Sequence, residues 1–244
     1  MQTGENKQML IFIDLETTGL ETGDKIVSIA ILNANTYKYE LINEAKKISA
    51  EASSIHHITN EDIKDALAFK ESEVYKYLNE KNDVENTLVA HNIKFDLEML
   101  AAHGLMWKGG MIDTFRVTKH LIPECELFSL QVLRYELKLY RDEEKLKLKY
   151  GIKDALNAHN ALSDALVTEL LFEYLLVLAD VETMQNLSFK NVLLEKFSFG
   201  KYKGKYIEEI CLNDSAYARW MLNSATDLDE DIKYSINYYL EGLV

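Results

Sequence analysis

Proline is all but missing from this sequence. A single one, Pro123, occurs in 244 residues, so proline cannot mark a domain edge here. Cysteine is scarce as well. Cys125 and Cys211 are far apart, and neither has a second Cys or a His at zinc-finger spacing. Both read as reduced, structural thiols of an intracellular protein. Long apolar runs are lacking too. The most apolar stretch, "LLFEYLLVLA" at residues 170–179, is too short for a bilayer and contains Glu173, which makes it a buried helix. The first residues, "MQTGENKQ", are polar and carry no signal-peptide pattern. No internal repeat or low-complexity segment stands out. Positive charge is in deficit, with 27 basic against 40 acidic residues and a net charge of −13. Such a chain is no general polyanion binder. Were its substrate a nucleic acid, a basic patch or bound divalent cations would have to offset the charge. These absences leave the expectation of a soluble cytoplasmic protein with no membrane association.

What is present supports a filled core, since 48% of residues are hydrophobic. The length allows one large domain, or an ordinary one with a small appendage. "MLIFID" reads as a central strand buried on both faces. "DKIVSIAIL" and "TYKYELI", separated by "NAN", read as a hairpin. "NTLVAHN" and "GGMIDT" are two further short strands. Helices are expected from Thr59 or Asn60, from about Glu71 to Glu80, over "FDLEMLAAHG" closed by Gly104, over "SLQVLRYEL", and through "NALSDALVTELLFEYLLVLA". A meander followed by alternating strands and helices is an α/β fold: a mixed five-stranded sheet flanked by helices, ending near Asp180.

The first strand ends in "DLETTG". Strand residues alternate faces, so Asp14 and Glu16 point the same way and repel unless neutralised. A hard divalent cation is the simplest partner for two carboxylates. Alone, the pair reads as a polar strand end, but it is not alone. "HNIKFD" places Asp96 just past the fourth strand, and "HNALSD" places His159 and Asp164 at the start of the last long helix. Strand ends and helix mouths converge on one crevice in sheets of this kind. Four carboxylates there suit two cations about 3.5–4 Å apart, the arrangement that cleaves phosphodiesters, with the histidine taking the proton of the attacking water.

These three motifs resemble those of the DnaQ-like 3′→5′ exonucleases, the DEDDh branch of the ribonuclease H-like fold. "SSIHHIT" and "MIDTFRVTKHLIPECELFSLQVL" also resemble the family's intervening segments, and the likeness covers roughly residues 8–178. It implies Mg²⁺ or Mn²⁺ as cofactor, two ions in all. Asp14 would bridge both, Glu16 and Asp164 would complete one site, and Asp96 would serve the other through water. His159 would be the general base. Leu15, Thr17, Thr18 and Gly19 would hold the terminal nucleotide, with His56 and Asn92 beside them. His57 stands where the family usually has a small residue, often glycine. His91, His103, His120 and Asp113 read as structural or surface residues, and the aromatics of "FEYLL" as core.

The lysines of "DEEKLKLKYGIKD" read equally as a mobile basic flap and as an edge strand protected by charge. From about Ser188 the chain changes character. "FSFGKYKGKYIEEI" and "SAYARWML" resemble the small C-terminal domain of exonuclease X-like proteins. Lys201, Lys203 and Lys205 interleave with Tyr202 and Tyr206, a pattern suited to gripping single strands by phosphate contact and base stacking. The bland reading is a hairpin closing a mini-core around Tyr217, Trp220 and Leu222. The expected organisation is an exonuclease domain over 1–180, a linker over 181–187 and a small basic domain over 188–244. The expected activity is hydrolysis of 3′-terminal phosphodiesters in DNA, with release of 5′-mononucleotides and RNA as the second candidate substrate. A polymerase proofreading subunit, an RNA trimmer, an inactive binding module and an aspartyl-nucleophile phosphatase are the rivals. The phosphatase would need Asp rather than Glu at position 16.

Overall fold

The computed structural model describes residues 9–34, 36–153, 155–225 and 228–242. The N-terminal octet, Asn35 of the hairpin turn and Asp154 of the lysine-rich stretch lie outside the described residues. Contacts divide the chain into two compact units, 1–188 and 189–244.

The first unit is built on strands β1 (Leu10–Thr17), β2 (Ile26–Asn33), β3 (Thr36–Leu41), β4 (Thr87–Ala90) and β5 (Gly110–Asp113). They form one sheet in the order β3-β2-β1-β4-β5. The meander β1-β2-β3 is antiparallel, while β4 and β5 join parallel to β1. Pairing of β1 with β4 stops at Phe12–Val89, but pairing with β2 continues past Asp14–Ala30 and Glu16–Ser28 to a bulge. The C-terminal end of β1 therefore projects beyond its parallel neighbour and opens a crevice.

The pleat sorts β1 between two cores. Ile11, Ile13 and Leu15 pack with α2 (Glu73–Glu80) and α3 (Ile93–Ala102). Phe12 packs on the other face with α7 (Ala161–Leu175), where Phe12 and Phe172 meet edge to face. Asp14 and Glu16 share the parity of Phe12, and so face α7. That helix is buried nearly all round, and interior leucines such as Leu166 and Leu171 are each worth about 2 kcal/mol of burial. The register of β1 and the seat of α7 are thus held by the same contacts.

Several helices differ from the sequence expectation. The stretch after Thr59 forms turns instead of a helix. Thr59 donates from both its backbone N–H and its hydroxyl to Asp62 Oδ2 at 2.7 Å, closing a local turn, and Ile63 is its one buried anchor before Ala66. A helix lies just upstream instead, α1 (Ala50–His56), capped by the Ser49 hydroxyl and closed by His57 at φ +62°. The lysine-rich stretch is neither flap nor edge strand but α6 (Glu143–Tyr150). A strand would place Leu146 and Leu148 together. The helix buries Leu146 with Tyr150 and leaves Leu148 80% exposed. Glu143 and Glu144 in its first turn, with Lys147 and Lys149 in its last, complement the helix dipole. Residues 181–187 are no linker. They form α8 (Val181–Leu187), capped by Asp180, whose Met184 is buried in the main core. In "FEYLL", Phe172 is core but Tyr174 is 40% exposed.

The remaining elements of this unit are α4 (Thr114–Leu121) and α5 (Leu130–Glu136). The second unit holds α9 (Ile207–Asn213), α10 (Ser215–Ser224) and α11 (Glu230–Glu241), packed around Phe197, Ile207, Cys211, Met221 and Ile236. Tyr217 and Leu222 border that core, but Trp220 is 55% exposed and is not part of it. Nor is the unit basic as a whole: 189–244 carries seven basic and nine acidic side chains, and only its first stretch is lysine-rich. Among the described residues no helix is long and apolar enough to cross a membrane.

Candidate active site

Asp14 and Glu16 enter the crevice from β1, and Asp164 enters from the first turn of α7. Carboxylate oxygens of these three lie within 4.8 Å of one another. Asp96, buried in the first turn of α3, stands outside that triad, yet its charge is felt at Asp14. All four expected acids therefore belong to one electrostatic cluster.

Their protonation reflects the crowding. Burial pushes Asp14 well above the ordinary carboxylate range, with repulsion from Asp164, Asp96 and Glu16 adding to it. Burial and Asp164 push Glu16 up to about 7. Burial pushes Asp164 up to about 6, against hydrogen bonds from the His159 backbone and Gln131 and the field of Arg134. Asp96 is raised well above its usual value by burial. An all-oxygen donor set, crowded and poorly neutralised by the chain, fits hard divalent cations.

This crowding makes a prediction. The acids bind protons more tightly folded than unfolded, so the folded state carries the extra protons between pH about 4 and Glu16's value of about 7. Stability of the cation-free protein then falls as pH rises through that window. Thermal melts in chelator should show a lower Tm at about pH 7.5 than at about pH 5. Mg²⁺ or Mn²⁺ should raise Tm more at the higher pH. A melting point indifferent to both would refute the shared cluster.

His159 sits in the turn before α7 at φ +57°, a left-handed conformation unusual for a residue with a Cβ. Its backbone N–H donates to Asp164 Oδ2 at 3.0 Å, tying the histidine to the acid. Its ring is exposed and lines an open cleft of about 330 Å³ with Tyr39, His56, His57 and Asn160.

The loop after β1 differs in detail from the implied nucleotide holder. Leu15 is buried on the sheet face opposite the acids, and the Thr17 and Thr18 side chains also point inward. Thr17 Oγ1 donates to the Gly19 carbonyl at 2.5 Å, and Thr18 Oγ1 donates to Asp24 Oδ1 at 2.6 Å. The backbone, not these side chains, is what the loop offers a ligand. Gly19 allows the tight path, since a Cβ there would sit 2.6 Å from Asp24 Oδ2. Asp24 is held at about 2 by hydrogen bonds from Lys46 and Thr18. His56 is a brace from below. Its Nδ1 accepts from the Ile58 N–H at 3.0 Å, so its Nε2 donates to the Thr17 carbonyl at 3.2 Å. His57 is the left-handed residue closing α1, the conformation for which glycine is the easiest fit. Asn92 is also left-handed, at φ +69°, with an exposed side chain, and its N–H donates to Asp113 Oδ1 at 2.9 Å.

The structural assignments of Asp113 and His91 agree with their contacts. Asp113 caps α4, and His91 bonds Thr114 and the Phe128 carbonyl, with burial pulling it down to about 4. Sequence reasoning missed Gln131. Its Nε2 donates to Asp164 Oδ1 at 2.6 Å, and its Oε1 accepts from Arg134, which is in turn clamped by Glu143. The spacing of Gln131 and Arg134 on one face of α5 was the available signal.

The sequence matches the exonuclease family of RNase T type over residues 11–172. The chain belongs to that family. A second match, to the exodeoxyribonuclease X-like C-terminal family, covers residues 197–224 of this exonuclease. Exodeoxyribonuclease 10 of Escherichia coli K12 is 28% identical over 241 residues, covering 96% of this chain and all of its own. The 3′-5′ exonuclease DinG of Bacillus subtilis is 31% identical over 68% of this chain, a stretch that spans 17% of the relative's length. Among solved structures, exonuclease X in complex with 5′ overhanging duplex DNA aligns with a TM-score of 0.56 at 25% identity, covering 74% of this chain and 99% of its own. The ribonuclease H-like exonuclease fold expected from the motifs is therefore the fold of this exonuclease.

Proposed function

We propose that this exonuclease removes nucleotides from the 3′ ends of DNA and releases 5′-mononucleotides. The observation that carries the reading is the Asp14–Glu16–Asp164 triad, three carboxylates within 4.8 Å with Asp96 beside them. The relatives support the substrate and direction: one is named an exodeoxyribonuclease, one a 3′-5′ exonuclease, and one structure holds DNA. The match to the exodeoxyribonuclease X-like C-terminal family favours this over a proofreading subunit. The relative named DNA polymerase III subunit epsilon, from Rickettsia prowazekii, matches 59% of the chain at 27% identity.

Asp14, Glu16, Asp96 and Asp164 would hold the two cations, Mg²⁺ or Mn²⁺. Bound there, the cations supply a water of lowered pKa and offset the charge developing on the phosphate. The chain's residues do the rest. His159 accepts the proton of the attacking water, whose oxygen bonds to phosphorus as the bond to the neighbouring 3′ oxygen breaks; that oxygen stays on the shortened strand and takes a proton from solvent to become its 3′-hydroxyl. The left-handed turn and the N–H bond to Asp164 keep the imidazole at the edge of the cluster. The backbone of Thr17–Gly19, braced by Asp24 and His56, presents itself to the terminal nucleotide.

End-labelled oligomers test the polarity. With Mg²⁺ or Mn²⁺, a 3′ label should be lost first, as mononucleotide, and a 5′ label should survive on progressively shorter DNA. Chelator should stop both, and DNA should be cut faster than RNA. Intact oligomers with either cation, or loss from the 5′ end, would overturn the reading.

A further inference from the structure

The second unit carries an aromatic surface that its own core does not explain. Residues 196–206 run as a tight loop, pinned by bonds between Phe197 and Lys205 and from Gly204 N–H to the Phe197 carbonyl. Gly200 and Gly204 take left-handed conformations within it. Gly200 also lets the loop approach α10, since a Cβ there would lie 3.2 Å from the Tyr217 hydroxyl. One ring of the loop and two of α10 stand together. Tyr202 meets Tyr217 edge to face at 5.0 Å, and Tyr217 lies tilted against Trp220 at 5.6 Å and 35°. Lys201 places its ammonium 4.5 Å from the Tyr202 ring centre and 5.4 Å from that of Tyr217.

The contacts divide these residues by role. Tyr202 donates its hydroxyl to Asp214 Oδ2 at 2.6 Å, and Lys201 pairs with the same carboxylate at 3.3 Å. Both are engaged with Asp214, and Lys201 offsets its charge. Trp220 is the outermost ring and is 55% exposed. Lys203 and Lys205 are exposed and make no ion pair among the described residues, and Arg219 precedes Trp220 on α10. In a chain of net charge −13, an exposed indole beside a tyrosine, in the unit that carries this lysine-rich loop, is a local exception.

We infer that Trp220, supported by Tyr217, is the base-stacking platform of a single-stranded DNA site, with Lys203 and Lys205 as its phosphate contacts. Within a strand, an exposed ring stacks bases that are unpaired, and the lysines track the backbone without reading sequence. The inference rests on the nucleic-acid reading above and deepens it. It moves the stacking role from Tyr202 and Tyr206, which the sequence suggests, to Trp220; the Tyr206 ring is exposed but lies under the Lys196 ammonium at 4.8 Å.

The test is binding by the full chain in chelator, where no cleavage occurs. The probe is a labelled oligothymidylate of roughly twenty nucleotides. Trp220→Ala should weaken binding about ten-fold, and Trp220→Phe should restore most of it. Lys203→Gln with Lys205→Gln should lower the slope of log affinity against log salt by about 1.4, at roughly 0.7 per lost phosphate contact. Tyr238→Ala, an exposed ring on α11, should bind as wild type. Unchanged affinity in Trp220→Ala overturns the inference. So does a lysine effect that is equal on heparin and independent of Trp220, which would leave a simple charge patch. Binding that follows these expectations in a protein that never cleaves would sink the nuclease proposal alone.

Discussion

Asp14→Asn is expected to leave a folded protein whose nuclease activity has dropped at least about a thousand-fold. Asparagine keeps the shape and volume of the side chain and its place opposite Ala30, but removes the charge. Asp14 is raised first by burial and then by Asp164, Asp96 and Glu16 together, so it sits among all the other acids of the cluster. Removing that charge should weaken cation binding and spare the folded state the cost of burying Asp14 beside the other three acids. Loss of activity should therefore come with a gain in stability. In chelator at neutral pH the Tm should rise, by about 2–4 °C for each kcal/mol of repulsion removed. The upward shift on adding Mn²⁺ should shrink or vanish. Rates on a 3′-labelled oligomer and paired melts check all three effects. Activity within ten-fold of wild type would mean that the charge of Asp14 is not needed.

Arg134→Met should cost about 3 kcal/mol, or more, for a different reason. Arg134 and Glu143 are both nearly buried, and the guanidinium grips the carboxylate through Nε at 2.5 Å and Nη2 at 2.8 Å. Methionine would fill much of the volume but leave the Glu143 charge buried without a partner. Adding Glu143→Leu should recover most of the stability, because the orphaned charge goes with it. The double variant should nevertheless remain catalytically impaired. Arg134 Nη1 also holds Gln131, whose amide fixes Asp164 Oδ1. Without that brace Asp164 can rotate, and the apparent affinity for Mn²⁺ should fall. Denaturant melts of the single and double variants, with Mn²⁺ titrations followed by Tm, separate the two roles. Full activity and normal Mn²⁺ affinity in the double variant would reduce the Arg134–Glu143 pair to a packing device.

Where sequence reading succeeded, the governing interaction was local. The alternation of "MLIFIDLE" carries the two-faced burial of β1 and the shared side of Asp14 and Glu16, because a strand's period is two whatever surrounds it. Gly104 closing α3 is likewise short-range chemistry. Where it failed, local signals competed. "KLKLK" alternates like a strand, but α6 arises because its charged ends, the Gly151 C-cap and the seat for Leu146 and Tyr150 outweigh that alternation. The acids after Thr59 looked like a helix start, yet the Asp62 side chain satisfied the backbone in a turn first.

By itself, then, the sequence determined the sheet, its meander-first order, and that Asp14, Glu16 and Asp164 would meet at its open end. Strand parity and residue spacing within each motif decide those points. Only the tertiary structure decided what holds that site in place. Gln131 reaches Asp164 across 33 positions, and His56 reaches the Thr17 carbonyl across 39. Such contacts depend on how α5, α7 and α1 seat against the sheet. That is a property of packed volumes and buried polar pairing, which no window of neighbouring residues contains.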